Sequence, residues 1–176
     1  MMRLERLRAD HADALLAFER ENRAYFARFV PDRGAAYFTD FAARHRALLA
    51  EQDAGACHFH VVLAGAGAGG GAGAAGSGGG ELVGRVNLVD AVAGSAELGY
   101  RIGERAAGRG LATAAVAEVC RLAAGPYGLS SLTAVADVDN PASRAVLTRN
   151  GFTETGRTTA DARPAVTYTR RLTPRP

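Results

Sequence analysis

Leu15, Leu16, Phe18, Phe26 and Phe29 recur at helical spacing, and Asp10 and Asp13 stand where a helix would open, so the pattern predicts a helix from Asp10 to about Phe29. Thr39 or Asp40 opens a second helix that runs to about Gln52. His58 to Leu63 and Leu82 to Val89 read as two strands, paired as an antiparallel hairpin. Between them, Ala64 to Gly80 is almost entirely glycine and alanine; with no side chains to bury, it is expected to be a mobile loop. Downstream the pattern predicts strand Ala96 to Ile102, turn Gly103 to Gly110, helix Leu111 to Ala124, strand Leu132 to Asp137 and helix Pro141 to Asn150. Asn140 caps that last helix, Pro141 presets its first turn and Gly151 stops it. Phe152 to Arg157 and Val166 to Leu172 close the chain as strands. The whole predicts one domain over residues 1–176, an α/β or α+β layer structure around a twisted sheet.

Composition narrows the class. With 176 residues, 48% hydrophobic and 22% charged, the chain has a globular balance, which excludes a wholly disordered chain and a coiled coil. No apolar run approaches the roughly 20 residues of a membrane span, and the amino terminus has no apolar signal core. Two cysteines, Cys57 and Cys120, make no disulfide framework; one bridge is formally open, but reduced thiols and a cytoplasmic location are expected. The 21 basic residues, all arginine, exceed 18 acidic ones by only three and form no long block, which argues against a nucleic-acid partner.

Three motifs invite chemistry. Gly65, Gly67 and Gly70 match a dinucleotide fingerprint literally, but only more glycine and alanine follow where a helix must begin, so low complexity is the better reading. His58 and His60 share a strand face beside Cys57 without a third and fourth ligand, so no metal site is expected and these are read as sheet and core residues. The turn Arg105 to Ala112 differs. Free N–H groups at a helix start attract phosphate, Gly108 and Gly110 admit a close approach, and Arg105 and Arg109 can neutralise charge. An ordinary strand-to-helix turn is the competing interpretation.

Taken together, Ala96-Glu97-Leu98-Gly99-Tyr100-Arg101-Ile102, the turn Arg105 to Ala112, Asn140-Pro141-Ala142-Ser143 and Asn150-Gly151-Phe152 resemble the GNAT acetyltransferases. The branch resembled is that of the ribosomal-protein N-acetyltransferases of the RimJ/RimL type; Leu4, Asp10, Asn22, Pro31 and the Gly84 to Leu88 strand match it more loosely. The resemblance implies a mixed, mostly antiparallel seven-stranded sheet flanked by about four helices, with a V-shaped splay between the fourth and fifth strands. It implies acetyl-CoA in that splay: the backbone of Leu98, Tyr100 and Ile102 along the pantetheine, the amides of Gly108, Gly110, Leu111 and Ala112 on the pyrophosphate, and Asn140 on the pantetheine arm. Many relatives carry a tyrosine seven residues after that asparagine to protonate the thiolate. Here that position is Leu147, and Ser143 is the expected substitute.

Acetyl transfer from a thioester needs a neutral amine, donors for the developing oxyanion and a proton source at sulfur. Glu97 is the leading candidate base, its alternative reading being a surface strand residue. Asn87 and Tyr100 rank second in the cleft, and Asn22 and Tyr25 are expected to meet the acceptor. The function expected is acetyl-CoA-dependent N-acetylation of a primary amine, first of all a protein N-terminal α-amine. A small amine (polyamine, amino acid or aminoglycoside) or a non-catalytic CoA-binding module are the alternatives, and a homodimer is left open.

Overall fold

The computed structural model of the chain describes residues 1–65 and 80–173; apart from its ends, the glycine and alanine segment expected to be a mobile loop lies outside the described residues. Seven strands make one sheet: β1 (Met2–Arg6), β2 (His58–Ala64), β3 (Glu81–Val92), β4 (Ser95–Ile102), β5 (Ser131–Asp137), β6 (Thr153–Ala160) and β7 (Arg163–Arg171), in the order β1-β2-β3-β4-β5-β7-β6. Six α-helices accompany them among the described residues: α1 (Ala12–Glu21), α2 (Arg23–Phe26), α3 (Gly34–Thr39), α4 (Phe41–Asp53), α5 (Leu111–Ala124) and α6 (Pro141–Arg149). Neighbouring strands are antiparallel except β4 and β5, which run parallel.

Strand alternation sorts the core into two layers. Val86, Leu98, Leu132 and Ala134 point to one face, where Val116 and Val119 of α5 and Leu147 of α6 complete a dry cluster. Phe59, Val61 and Leu63 point to the other, under Leu15 and Phe18 of α1 and Phe41 of α4. Cys57 and Cys120 are both free and belong to opposite layers, so the sheet itself keeps the one conceivable bridge from forming.

Four local features differ from the sequence expectation. The helix expected to run from Asp10 to Phe29 is broken at Asn22, whose Nδ2 donates to Phe18 O (2.9 Å) while its Oδ1 accepts from Glu104 N (2.9 Å). The side chain is claimed by a distant turn, and the backbone leaves helical geometry there. Asp10 does not cap that helix, because its carboxylate pairs with Arg8 Nε (3.0 Å). The strand β1, unmarked in the sequence because charges alternate with only two apolar side chains, forms as an edge strand on β2, with Leu4 opposite Val62. Finally, β3 continues to Val92 and returns through a two-residue turn at Ala93 and Gly94 (φ 51° and 77°), the positive-φ pair that a tight hairpin requires.

The parallel pair positions the site. β4 and β5 are in register only from Ser95 opposite Ser131 to Leu98 opposite Ala134. Beyond these the strands part, so Gly99 to Ile102 and Val135 to Asp137 face each other unpaired.

Candidate active site

The splay opens a cleft of about 910 Å³ that passes between the two faces of the sheet. On the α5 and α6 face, Gly110 takes φ 75° as the residue before α5, a conformation open to glycine at little cost. The first intrahelical bond runs from Ala114 N to Gly110 O, which leaves the N–H groups of Leu111, Ala112 and Thr113 without helical acceptors, and all three residues line the cleft. A Cβ added at Gly108 or Gly110 would meet nothing within 4 Å, so the turn is open toward the cleft rather than packed. Free donors, a helix N-terminus and open space beside them suit an anionic group such as the pyrophosphate of CoA. The unpaired edge of β4 from Gly99 to Ile102 suits an extended amide-bearing arm.

Across the cleft, Asn140 Oδ1 accepts from Ser143 N (3.1 Å) and so caps α6. Tyr100 Oη lies 2.9 Å from both Ser143 O and Ser143 Oγ. Since the carbonyl can only accept, the arrangement that satisfies both contacts has Tyr100 donating to Ser143 O and Ser143 Oγ donating to Tyr100. Burial pushes the Tyr100 phenol up to about 12, partly offset by its bond to Ser143, so this hydroxyl keeps its proton at ordinary pH. Leu147, standing where many relatives would carry tyrosine, is fully buried in the core. Leu98, Tyr100, Ile102, Gly108, Gly110, Leu111, Ala112, Asn140 and Ser143 all line the cleft.

The opposite face is built from α2, β3 and the other side of β4. Glu97 is exposed at the cleft wall, and Tyr25 lies half-buried beside Phe26 and Phe29, with ring centroids 5.7 and 5.3 Å from its own. Asn87 also lines the cleft, its amide best placed with Oδ1 accepting from Arg85 Nη2 at 3.0 Å and Nδ2 donating to Val86 O at 3.1 Å.

Three expected site residues stand outside the lining. Asn22 is buried with both amide atoms engaged in the fold. Arg105 is turned to Glu21 (3.0 Å) on the surface, and Arg109 is exposed between the two glycines. Conversely, sequence reading missed Arg33, Arg85 and Arg101, which all line the cleft. Their signal was available in part: Arg85 stands among the apolar residues Leu82, Val83, Val86 and Leu88, and Arg101 sits within the A-E-L-G-Y-R-I strand, but in a chain whose every Lys or Arg position is arginine that signal is weak.

His58 and His60 converge on Tyr127. The His58 ring stacks on Tyr127 at 3.8 Å, and His60 Nε2 accepts from Tyr127 Oη (2.7 Å) while Nδ1 faces Val86 O (3.3 Å). No group of three or more metal-ligating side chains gathers among the described residues. None of the described helices is long and apolar enough to cross a membrane.

Comparison with known proteins agrees with this geometry. The family model described as the acetyltransferase (GNAT) domain matches residues 2–153. Among curated proteins none matches the chain. Among solved structures, the ribosomal-protein-S5-alanine acetyltransferase of Vibrio fischeri superposes with a TM-score of 0.83 at 16% identity, over 97% of this chain and 93% of that one. RimJ of Mycobacterium smegmatis, in complex with a CoA-disulfide, gives 0.78 at 22% identity over 97% and 81% of the two chains. Spermidine N-acetyltransferase of Vibrio cholerae, in complex with CoA and spermine, gives 0.75 at 14% identity over 97% and 95%. With the family model covering most of its length and the sheet splayed between its parallel strands, the chain belongs to the GNAT acetyltransferase family and is an N-acetyltransferase.

Proposed function

We propose that this enzyme transfers acetyl from acetyl-CoA to a protein N-terminal α-amine by direct attack on the thioester. The observation that carries this reading is a cleft open through the sheet: free helix-start amides lie on one face, and a separate wall of aromatic and charged side chains lies on the other. Acetyl-CoA supplies the activated acyl carbon. The amides of Leu111, Ala112 and Thr113 hold its phosphates, the β4 edge aligns its arm, and Asn140 stands beside that arm. Glu97, on the face away from α5, accepts the amine proton directly or through water as the nucleophile attacks. At the departing sulfur the two hydroxyls reverse the donor order of the resting site: Ser143 Oγ gives its proton to the thiolate and takes one from Tyr100, whose phenolate regains a proton from solvent. An α-amine titrates near 8, so a fraction is neutral at physiological pH and a modest base suffices.

The test is an acetyl-transfer screen of N-terminal peptides against polyamines, amino acids and aminoglycosides, read as CoA release. The reading expects peptides to lead; turnover confined to a small amine would overturn it. Within the screen, Glu97→Gln is expected to keep acetyl-CoA affinity, to lose about 10² to 10⁴ in kcat/KM and to recover partly as pH rises and neutral amine accumulates. A near-parental kcat/KM at neutral pH would remove Glu97 from the base role.

A further inference from the structure

The acceptor face of the cleft holds more positive charge than it neutralises. Arg85 and Arg101 stand directly opposite each other on β3 and β4, on the face away from α5, and they share one carboxylate: Arg85 Nη1 lies 3.0 Å from Glu19 Oε1 and Arg101 Nη1 lies 3.2 Å from Glu19 Oε2. Glu19 is 2% exposed, so this pairing is desolvated, whereas the Arg101 side chain keeps 20% exposure and lies over the Phe26 ring at 4.7 Å. Arg33 is the third guanidinium of the cleft wall; it lies over the Tyr37 ring at 4.5 Å and has no carboxylate within ion-pair distance among the described residues. Arg33 and Arg85 also border a smaller cavity of about 110 Å³ together with Arg44 and His45, so the cationic wall continues behind the cleft. Of the other carboxylates that line the cleft, Asp137 is engaged by Arg163 at 3.2 Å, Glu97 stands four residues along β4, and Asp161 sits in the turn between β6 and β7. Burial first, and then the nearby charges of Arg33 and Arg85, pull the Arg101 guanidinium down to about 10 against the raising effect of Glu19.

We infer that this wall is an anion-recognising subsite, and that the amine acetylated here carries a carboxylate or phosphate that pairs with Arg33 and Arg101. Arg101 is largely removed from water and shares one carboxylate with Arg85 while Arg33 stands exposed beside it, so a bound anion restores the solvation Arg101 has lost, and the planar fork of arginine suits either anion. Glu97 and Arg101 share a strand face about 13 Å apart along the backbone, at roughly 3.3 Å per residue. An extended peptide whose amine meets Glu97 therefore presents an acidic side chain within its first four residues to the guanidiniums. The same wall repels polyamines and aminoglycosides. This inference rests on the peptide-amine reading above and narrows it.

The experiment compares kcat/KM at saturating acetyl-CoA for the C-terminally amidated peptide Ser-Ala-Glu-Glu-NH2, its side-chain amide counterpart Ser-Ala-Gln-Gln-NH2, the phosphoserine version Ser-Ala-pSer-pSer-NH2 and spermidine. The expected result is at least a 10-fold preference for the acidic or phosphorylated peptide over the amide peptide, with spermidine the poorest; the faster of the first two identifies the anion. Arg33→Gln, on an exposed position, is expected to collapse the acidic-to-amide ratio toward one. Arg101→Gln should do the same, and because it unbalances Glu19 its folding is checked by circular dichroism. Equal rates for the acidic and amide peptides in the parent enzyme, or a ratio that survives in folded Arg33→Gln, would overturn the subsite while leaving the peptide reading intact. Acetylation of spermidine with no peptide turned over would instead overturn the peptide reading and this inference with it.

Discussion

Ser143 is the third residue of α6, and its backbone N–H, not its hydroxyl, receives the Asn140 cap, so removing Oγ spares the helix start. What Ser143→Ala removes is the 2.9 Å link to Tyr100. The expected outcome is a fall in kcat of about 10² with acetyl-CoA affinity little changed, Tyr100→Phe giving a comparable loss and the double variant little more than either alone. Unchanged kcat with a lowered Tm would assign the pair to structure. His60 carries a different prediction. An imidazole in the unfolded chain titrates near 6.5, whereas burial, only partly offset by its bond to Val86 O, holds folded His60 down to about 4. Between those values the unfolded chain binds the extra proton, so stability present above pH 6.5 is lost as pH falls toward 4, by about 3 kcal/mol from this group. Urea unfolding at pH 7.5 and 4.5 measures it; His60→Phe should be less stable at pH 7.5, because Tyr127 loses its acceptor, yet should show a smaller acid loss.

At the scale of the element, α5 separates what stabilises a helix from what binds a phosphate. A carboxylate in the first turn favours the helix by roughly 0.5 kcal/mol through its dipole, but occupies the same field that an incoming anion needs. Thr113→Glu, on a cleft-lining residue of that turn, is therefore expected to hold or raise Tm while weakening acetyl-CoA binding at least tenfold, as calorimetry would read. Parental affinity would place the pyrophosphate elsewhere. The break at Asn22 belongs to this scale too. A continuous helix to Phe29 was the economical reading of the apolar stripe, and it fails because a single amide serves both Phe18 O and Glu104 N, a partner 82 residues away.

For the molecule as a whole, the β2 to β3 ladder closes on Ala64 opposite Glu81, and both strands are buried along most of their length. The strands thus have their register without help from residues 66–79. Replacing that segment by a tight turn is expected to leave the fold and acetyl-CoA binding in place and to change stability by no more than about 1 kcal/mol, since loop closure varies by only about 0.6 kcal/mol per doubling of length. Loss of binding in a chain that still folds would give the segment a part in the site. The second half of the molecule was the more legible, because Asn140, Pro141, Gly151 and the apolar runs of β4, α5 and β5 are local signals. Less could be read in the first half, where β1 and the Asn22 break depend on partners far along the chain.

By itself the sequence determined the strand and helix order from Ala96 onward, the glycine turn before α5 and the resemblance that these motifs carry, because caps, turns and periodicity act over a few residues. Only the tertiary structure decided where β4 and β5 part, that Tyr100 meets Ser143 from 43 residues away, and that Arg33, Arg85 and Arg101 share one wall with a single buried Glu19. Those facts arise from register and sheet face, which are set by strands brought together across the whole chain. No local pattern encodes the charge balance of a wall whose members come from α1, β3, β4 and the loop before α3.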